Sequence, residues 1–116
     1  PDKRIREAYM GSLQGMSKQS IDWENLPRDV EKLENIHKRV KEFLGQIHSK
    51  HKNQTIAIVT HSGTKKMFLT ILKNHKLYKF KEFREKIKNT SLTIVNFQEN
   101  NKHELILENS TSHLQM

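Results

Sequence analysis

The feature that most constrains this chain is residues 55–60, Thr-Ile-Ala-Ile-Val-Thr, broken at once by His61-Ser62-Gly63-Thr64. A short apolar run rich in β-branched residues fits a strand buried on both faces, as in a parallel sheet. An amphipathic stretch follows at 65–74, with Met67, Phe68, Ile71 and Leu72 on one side. Upstream, residues 29–50 place Val30, Leu33, Ile36, Val40, Phe43, Leu44 and Ile47 at steps of three or four, with charged residues filling the other face. That is helical periodicity, and Pro27 is placed to start the helix. The order helix, buried strand, tight turn, helix is the grammar of an α/β sheet.

The flanking segments are less regular. Residues 1–20 read as a short extended piece and then a loop carrying Gly11 and Gly15. Residues 21–27 form a second loop, with Trp23 and Leu26 as anchors. Residues 75–88 are strongly basic, with Leu77, Tyr78, Phe80, Phe83 and Ile87 interleaved, and read as a loop plus a short helix. Strands at 91–97 and 104–107 around a polar turn at 99–102 predict an antiparallel hairpin.

A length of 116 residues points to one domain, and 34% hydrophobic content is lean for a self-contained one. The net charge of +8 reads first as a lysine-rich solvated surface, and second as affinity for a phosphorylated substrate. Nucleic-acid binding is disfavoured, because lysine is spread along the chain and no nucleic-acid module is present. Cysteine is absent, so no disulfide or thiolate metal site forms, which suits a reducing, cytoplasmic setting. No apolar run of about 18 residues is present to make a membrane span. The chain opens at Pro1, inside a charged stretch and without Met, and the expectation is a processed or truncated product.

His61 stands where the expected strand ends and a helix begins. In open α/β sheets ligands bind at that carboxyl edge. The first amides of the helix suit an anion such as phosphate, and a histidine there can be protonated near neutral pH. The bland alternative is a histidine that merely caps a turn.

Three segments, in order, tip the balance. Thr60-His61-Ser62-Gly63 after an apolar strand resembles the second histidine motif of the histidine phosphatase superfamily. Upstream, Arg4-Ile5-Arg6-Glu7-Ala8-Tyr9-Met10-Gly11-Ser12-Leu13-Gln14-Gly15 is similar to the segment in which phosphoglycerate mutases carry an acidic residue before two glycines. The tail, Asn89 to Ile94 followed by a hairpin and then Asn109-Ser110-Thr111-Ser112-His113-Leu114, resembles the last strand pair and closing His-Leu.

The resemblance implies an α/β, phosphoglycerate mutase-like three-layer fold with a mostly parallel sheet flanked by helices, incomplete at its N-terminus. Residues 1–116 would be the C-terminal part of a single domain. It implies Glu7 as general acid and His61 as the group stabilising the transferring phosphoryl, with Ser62 and Gly63 helping to bind phosphate. Apart from the resemblance, Glu7 reads as a surface acid beside Arg4 and Arg6. The family often has glycine where Ser62 stands. It implies neither cofactor nor metal. The substrate would be a small phosphorylated metabolite, acted on by a phosphatase or a mutase, and the short loop at 21–28 leans to a phosphatase.

The family's nucleophile lies in an Arg-His-Gly motif that this sequence lacks. His37, His48 and His51 read as solvated, and His75, His103 and His113 sit in no such context. The expected partner is therefore the N-terminal segment of the same domain, supplied by a separate chain or lost by truncation. The competing reading is a non-catalytic phosphate-binding or regulatory module of the same fold.

Overall fold

The computed structural model describes residues 1–22, 25–80, 87–98 and 102–114. Helix α1 spans Leu33–Lys50 and buries Ile36, Val40, Phe43 and Leu44 on one face. It starts four residues later than residue 29, and Pro27 lies in a turn closed by the Val30 amide on the Pro27 carbonyl. The acids between are engaged elsewhere. Asp29 accepts from the Ser12 amide (2.6 Å) and hydroxyl (3.1 Å), and Glu31 binds the backbone of Tyr9. These long-range bonds hold residues 29–31 against the Gly11 loop and out of the helix.

After α1 the chain turns through Asn53, whose φ of 61° lies in the left-handed region that asparagine tolerates. Helix α2 spans Ser62–Leu72, beginning three residues earlier than residue 65, with Met67, Phe68, Leu69 and Leu72 buried. It ends where Asn74 turns left-handed at φ 55°. The α1 and α2 faces meet in one core of Ile36, Val40, Phe43, Leu44, Met67, Phe68 and Leu72. Phe43 and Phe68 pack edge to face, centroids 6.0 Å apart. This is a favourable aromatic geometry beyond simple burial.

Strands β1 (Leu92–Phe97) and β2 (His103–Ser110) form the expected hairpin, antiparallel, with Val95 opposite Leu105 and Phe97 opposite His103. Val95 and Leu105 pack on the helical core. The hairpin is tied to α2 by the Lys73–Glu108 ion pair (2.5 Å), by the His103 ring on the Leu72 carbonyl, and by Lys65 on Ser91. His103 and His48 are half-buried around Phe97, whose ring stacks on that of His48 at 5.2 Å, so His48 is not simply solvated.

Residues 55–60 depart most from expectation. They pair with no strand, and the only sheet among the described residues is the two-stranded hairpin. Ile56 and Ile58 are 36% and 39% exposed and Val59 is 91% exposed. The apolar composition is strand-like, but a parallel strand is buried only by neighbouring strands and by helices on both faces. Among the described residues no strand lies beside 55–60. The expected anchor Trp23, the 81–86 part of the basic stretch and the hairpin tip at 99–101 lie outside the described residues. Leu26 is 38% exposed and anchors little. No helix among the described residues is long and apolar enough to cross a membrane.

Candidate functional site

The site is assembled by bringing residues 4–8 against the start of α2. Asp2 caps the short turn Lys3–Ile5, accepting from the Arg4 amide at 2.9 Å and pairing with its guanidinium at 2.6 Å. These contacts with Arg4 pull the Asp2 carboxyl down to about 2. Beyond the turn the backbone is extended at Arg6 (φ −68°, ψ 162°). Its carbonyls are held one after another. Arg39 donates to the carbonyls of Arg4 (2.7 Å) and Arg6 (2.9 Å). The Thr60 hydroxyl donates to Ile5 (2.5 Å), and the Thr64 hydroxyl to Arg6 (2.6 Å).

That placement delivers Glu7 to the N-terminus of α2. Its Oε2 accepts from the Gly63 amide at 3.2 Å, and its Oε1 from the Thr64 amide at 3.2 Å and the Ala8 amide at 3.0 Å. A helix leaves its first amides without intrahelical partners, and they carry partial positive charge. Here a carboxylate from 56 residues upstream meets them. Gly63 is required for so close an approach, since a Cβ there would lie 2.6 Å from Glu7 Oε1.

His61 is the N-cap of α2, extended at φ −110°, ψ 165° and exposed, and its carbonyl accepts the first helical bond from Lys65. Ser62, also exposed, is the first helical residue. The sequence-predicted residues Glu7, His61, Ser62 and Gly63 therefore converge on one helix end. Lysines follow in the same turn. Burial lowers the pKa of both Lys65 and Lys66, the first held by Ser91 and the second lying 4.6 Å over the Phe80 ring. An open cleft lined by Asp2, Arg4, Phe43, Gln46, Ile47 and His51 includes none of the four site residues.

Sequence reasoning missed the residues that hold Glu7 in place. Arg39 is only 9% exposed and lies on the apolar side of α1, between Ile36 and Phe43, where the pattern predicts only uncharged residues. That position was the available signal, because a lone arginine on an apolar stripe requires buried partners. Glu31 is the main one, at 2.9 Å. Burial raises the Glu31 pKa, but the bonds from Arg39, the Tyr9 amide and Asn35, with the Arg39 charge, outweigh it, and the net shift is downward. Thr64, fully buried, gave no signal beyond following the glycine.

The model of the histidine phosphatase superfamily (branch 1) matches residues 1–110. The chain belongs to the histidine phosphatase superfamily. That match takes in the Glu7 segment, the His61 turn and the hairpin, and ends before His113 and Leu114, which sit in an exposed turn at Ser112–Leu114. Among solved structures the chain is similar to YhfR of Bacillus stearothermophilus, with a TM-score of 0.84 and 23% identity over 98% of this chain. At that identity the likeness is one of fold. The chain spans 62% of the length of the YhfR chain. No curated protein matches it.

Proposed function

We propose that this chain contributes half of the active site of a histidine phosphatase acting on small phosphorylated metabolites, with the nucleophilic histidine supplied from outside these 116 residues. The observation that carries the reading is the Glu7 carboxylate on the Gly63 and Thr64 amides, in the helix turn that His61 caps. In this reading an incoming imidazole attacks phosphorus and the ester P–O bond breaks. Glu7, having taken up a proton from solvent, gives it to the departing alkoxide, and the resulting carboxylate is met by the helix amides. The His61 ring and the Ser62 amide face the charge on the equatorial phosphoryl oxygens. Water then attacks phosphorus of the phosphohistidine, the P–N bond breaks to free the imidazole, the water's proton passes to Glu7, and phosphate leaves. No cofactor takes part. The +8 net charge favours an anionic substrate, and the absence of cysteine fits a cytoplasmic setting.

Two observations support an outside nucleophile. No Arg-His-Gly occurs in the sequence, and Ile56, Ile58 and Val59 form an exposed apolar segment with no strand beside it among the described residues. The missing motif also supports the second reading, a non-catalytic phosphate-binding module.

The test is hydrolysis of a generic phosphate ester by the chain alone and with an added segment carrying Arg-His-Gly. The expected result is turnover only with the segment, reduced about 100-fold or more by His61→Ala. Turnover by the chain alone that is insensitive to His61→Ala overturns the proposal. Phosphate binding without turnover in the reconstituted protein favours the module.

A further inference from the structure

We infer that the buried Arg39–Glu31 pair is the positioning device for Glu7, an inference that rests on the general-acid reading of that residue. The pair grips the chain on both sides of Glu7. On the N-terminal side, Arg39 Nη1 donates to the carbonyls of Arg4 (2.7 Å) and Arg6 (2.9 Å). On the C-terminal side, Glu31 Oε1 accepts from the Tyr9 amide (3.1 Å), and the Glu31 amide donates back to the Tyr9 carbonyl (2.7 Å). The two halves are locked by a two-pronged contact, Arg39 Nε to Glu31 Oε2 at 2.9 Å and Nη2 to Oε1 at 3.0 Å. Asn35, one helical turn before Arg39, adds a bond to Glu31 Oε2 at 2.5 Å.

This geometry does more than hold α1 in place. A buried ion pair gives little net stability over apolar residues of the same volume, because both charges are desolvated. Its planar fork does fix directions. Arg4 lies within the Lys3–Ile5 turn and Arg6 is the extended residue just beyond it, so gripping both carbonyls fixes the direction in which the chain leaves the turn toward Glu7. With Arg4 and Arg6 turned toward α1, the Glu7 carboxylate reaches the Gly63 and Thr64 amides. Arg39 touches neither the carboxylate nor those amides, so it acts through the backbone alone. A lysine keeps the charge opposite Glu31 but cannot reproduce the fork.

The decisive readout uses the full chain without substrate. The amide proton shifts of Gly63 and Thr64 are measured in wild type, Glu7→Gln, Arg39→Lys and Ile36→Val. Glu7→Gln defines the signature of a lost carboxylate acceptor. Arg39→Lys is expected to reproduce it, whereas Ile36→Val, which loosens the same helix in the core, leaves both shifts in place. Wild-type shifts in Arg39→Lys overturn the inference, as does an equal change in Ile36→Val. If Arg39→Lys does not fold by circular dichroism, Glu31→Gln takes its place: the Glu7→Gln signature supports the inference, and wild-type shifts overturn it.

In the reconstituted enzyme, Arg39→Lys is expected to lower kcat about tenfold to a hundredfold with KM nearly unchanged, the cost of a misplaced catalytic group. A loss confined to KM overturns it. A wild-type protein without turnover would sink the phosphoryl-transfer reading, while the amide shifts would still decide the placement of Glu7.

Discussion

A methyl group at position 63 has no room while Glu7 keeps its seat. The Cβ of Gly63→Ala would stand 2.6 Å from Glu7 Oε1 and 3.3 Å from its carboxyl carbon. The nearest atoms belong to the far end of a side chain, so the cheapest response is for Glu7 to swing away, giving up the Gly63 and Thr64 amides. Hydrogen bonds to a charged group are worth about 1.5–3 kcal/mol each when buried. Glu7 is only half-buried, and solvent screening reduces that to roughly 1 kcal/mol per amide. Against this, alanine gains up to about 1 kcal/mol over glycine inside a helix, and less in the first turn. The net expectation is destabilisation by about 1–2 kcal/mol.

The sign of the effect depends on Glu7, which makes a double-mutant cycle the right assay. In a Glu7→Ala background the clash is gone, and Gly63→Ala should be neutral or slightly stabilising through helix propensity alone. The coupling between the two sites is then about 2 kcal/mol, well above the few tenths expected of independent positions. Urea unfolding followed by circular dichroism measures all four proteins, with equal m-values required for the comparison. If Gly63→Ala costs the same in both backgrounds, or stabilises the wild type, the reasoning that Glu7 caps α2 through position 63 is wrong.

Further outcomes follow from other contacts. Phe43→Ala removes one ring of the edge-to-face pair in the core and should cost about 3–5 kcal/mol in the same urea assay. The Glu31 carboxyl titrates below its ordinary value in the folded chain, so its contribution is fully present above the usual carboxylate range and is lost as pH falls through that range and below. Urea midpoints across the acid limb should fall less steeply in Glu31→Gln than in wild type. Val59→Lys, at a position 91% exposed, should change the stability of the chain by no more than about 0.5 kcal/mol, yet weaken reconstitution with an Arg-His-Gly segment in a turnover titration. Unchanged reconstitution would remove residues 55–60 from the docking edge.

Local pattern made much of this legible. The three-and-four spacing of Ile36, Val40, Phe43, Leu44 and Ile47 located α1, and the alternation around Val95 and Leu105 located the hairpin, because each periodicity reflects one buried face. The boundaries slipped where long-range bonds compete with the helix, as at Asp29 and Glu31, whose partners Ser12 and Tyr9 lie about twenty residues upstream. No single-segment pattern contains such a bond. Arg39 lies on the apolar side of α1, but no helical pattern names what it binds, since its partners are the backbone carbonyls of Arg4 and Arg6 and a carboxylate outside the helix. Residues 55–60 failed differently. Their composition records the environment of a buried strand, and burial depends on neighbours that this chain does not place there among the described residues.

The N-terminus of α2 makes one prediction about the chemistry that motif spacing does not. A helix start after a strand is expected to offer its amides to phosphate, yet the Gly63 and Thr64 amides point to Glu7. On the proposed reading, anion and acid would divide the helix end between them, with Ser62 and the exposed His61 left to face a phosphoryl group. The division has a test. If the Gly63 amide serves Glu7 and not phosphate, inorganic phosphate titrated into the chain should shift the amide of Ser62 and the ring of His61 first. Gly63 and Thr64 should follow only where Glu7 has been replaced by Gln, which frees their donors from a charged acceptor. Glu7→Gln should then bind phosphate several-fold more tightly than wild type, since it removes a like charge from the site as well. Weaker binding by Glu7→Gln, or an equal response of the Ser62, Gly63 and Thr64 amides in the wild type, would mean that the carboxylate yields its place to the anion instead of sharing the helix end with it.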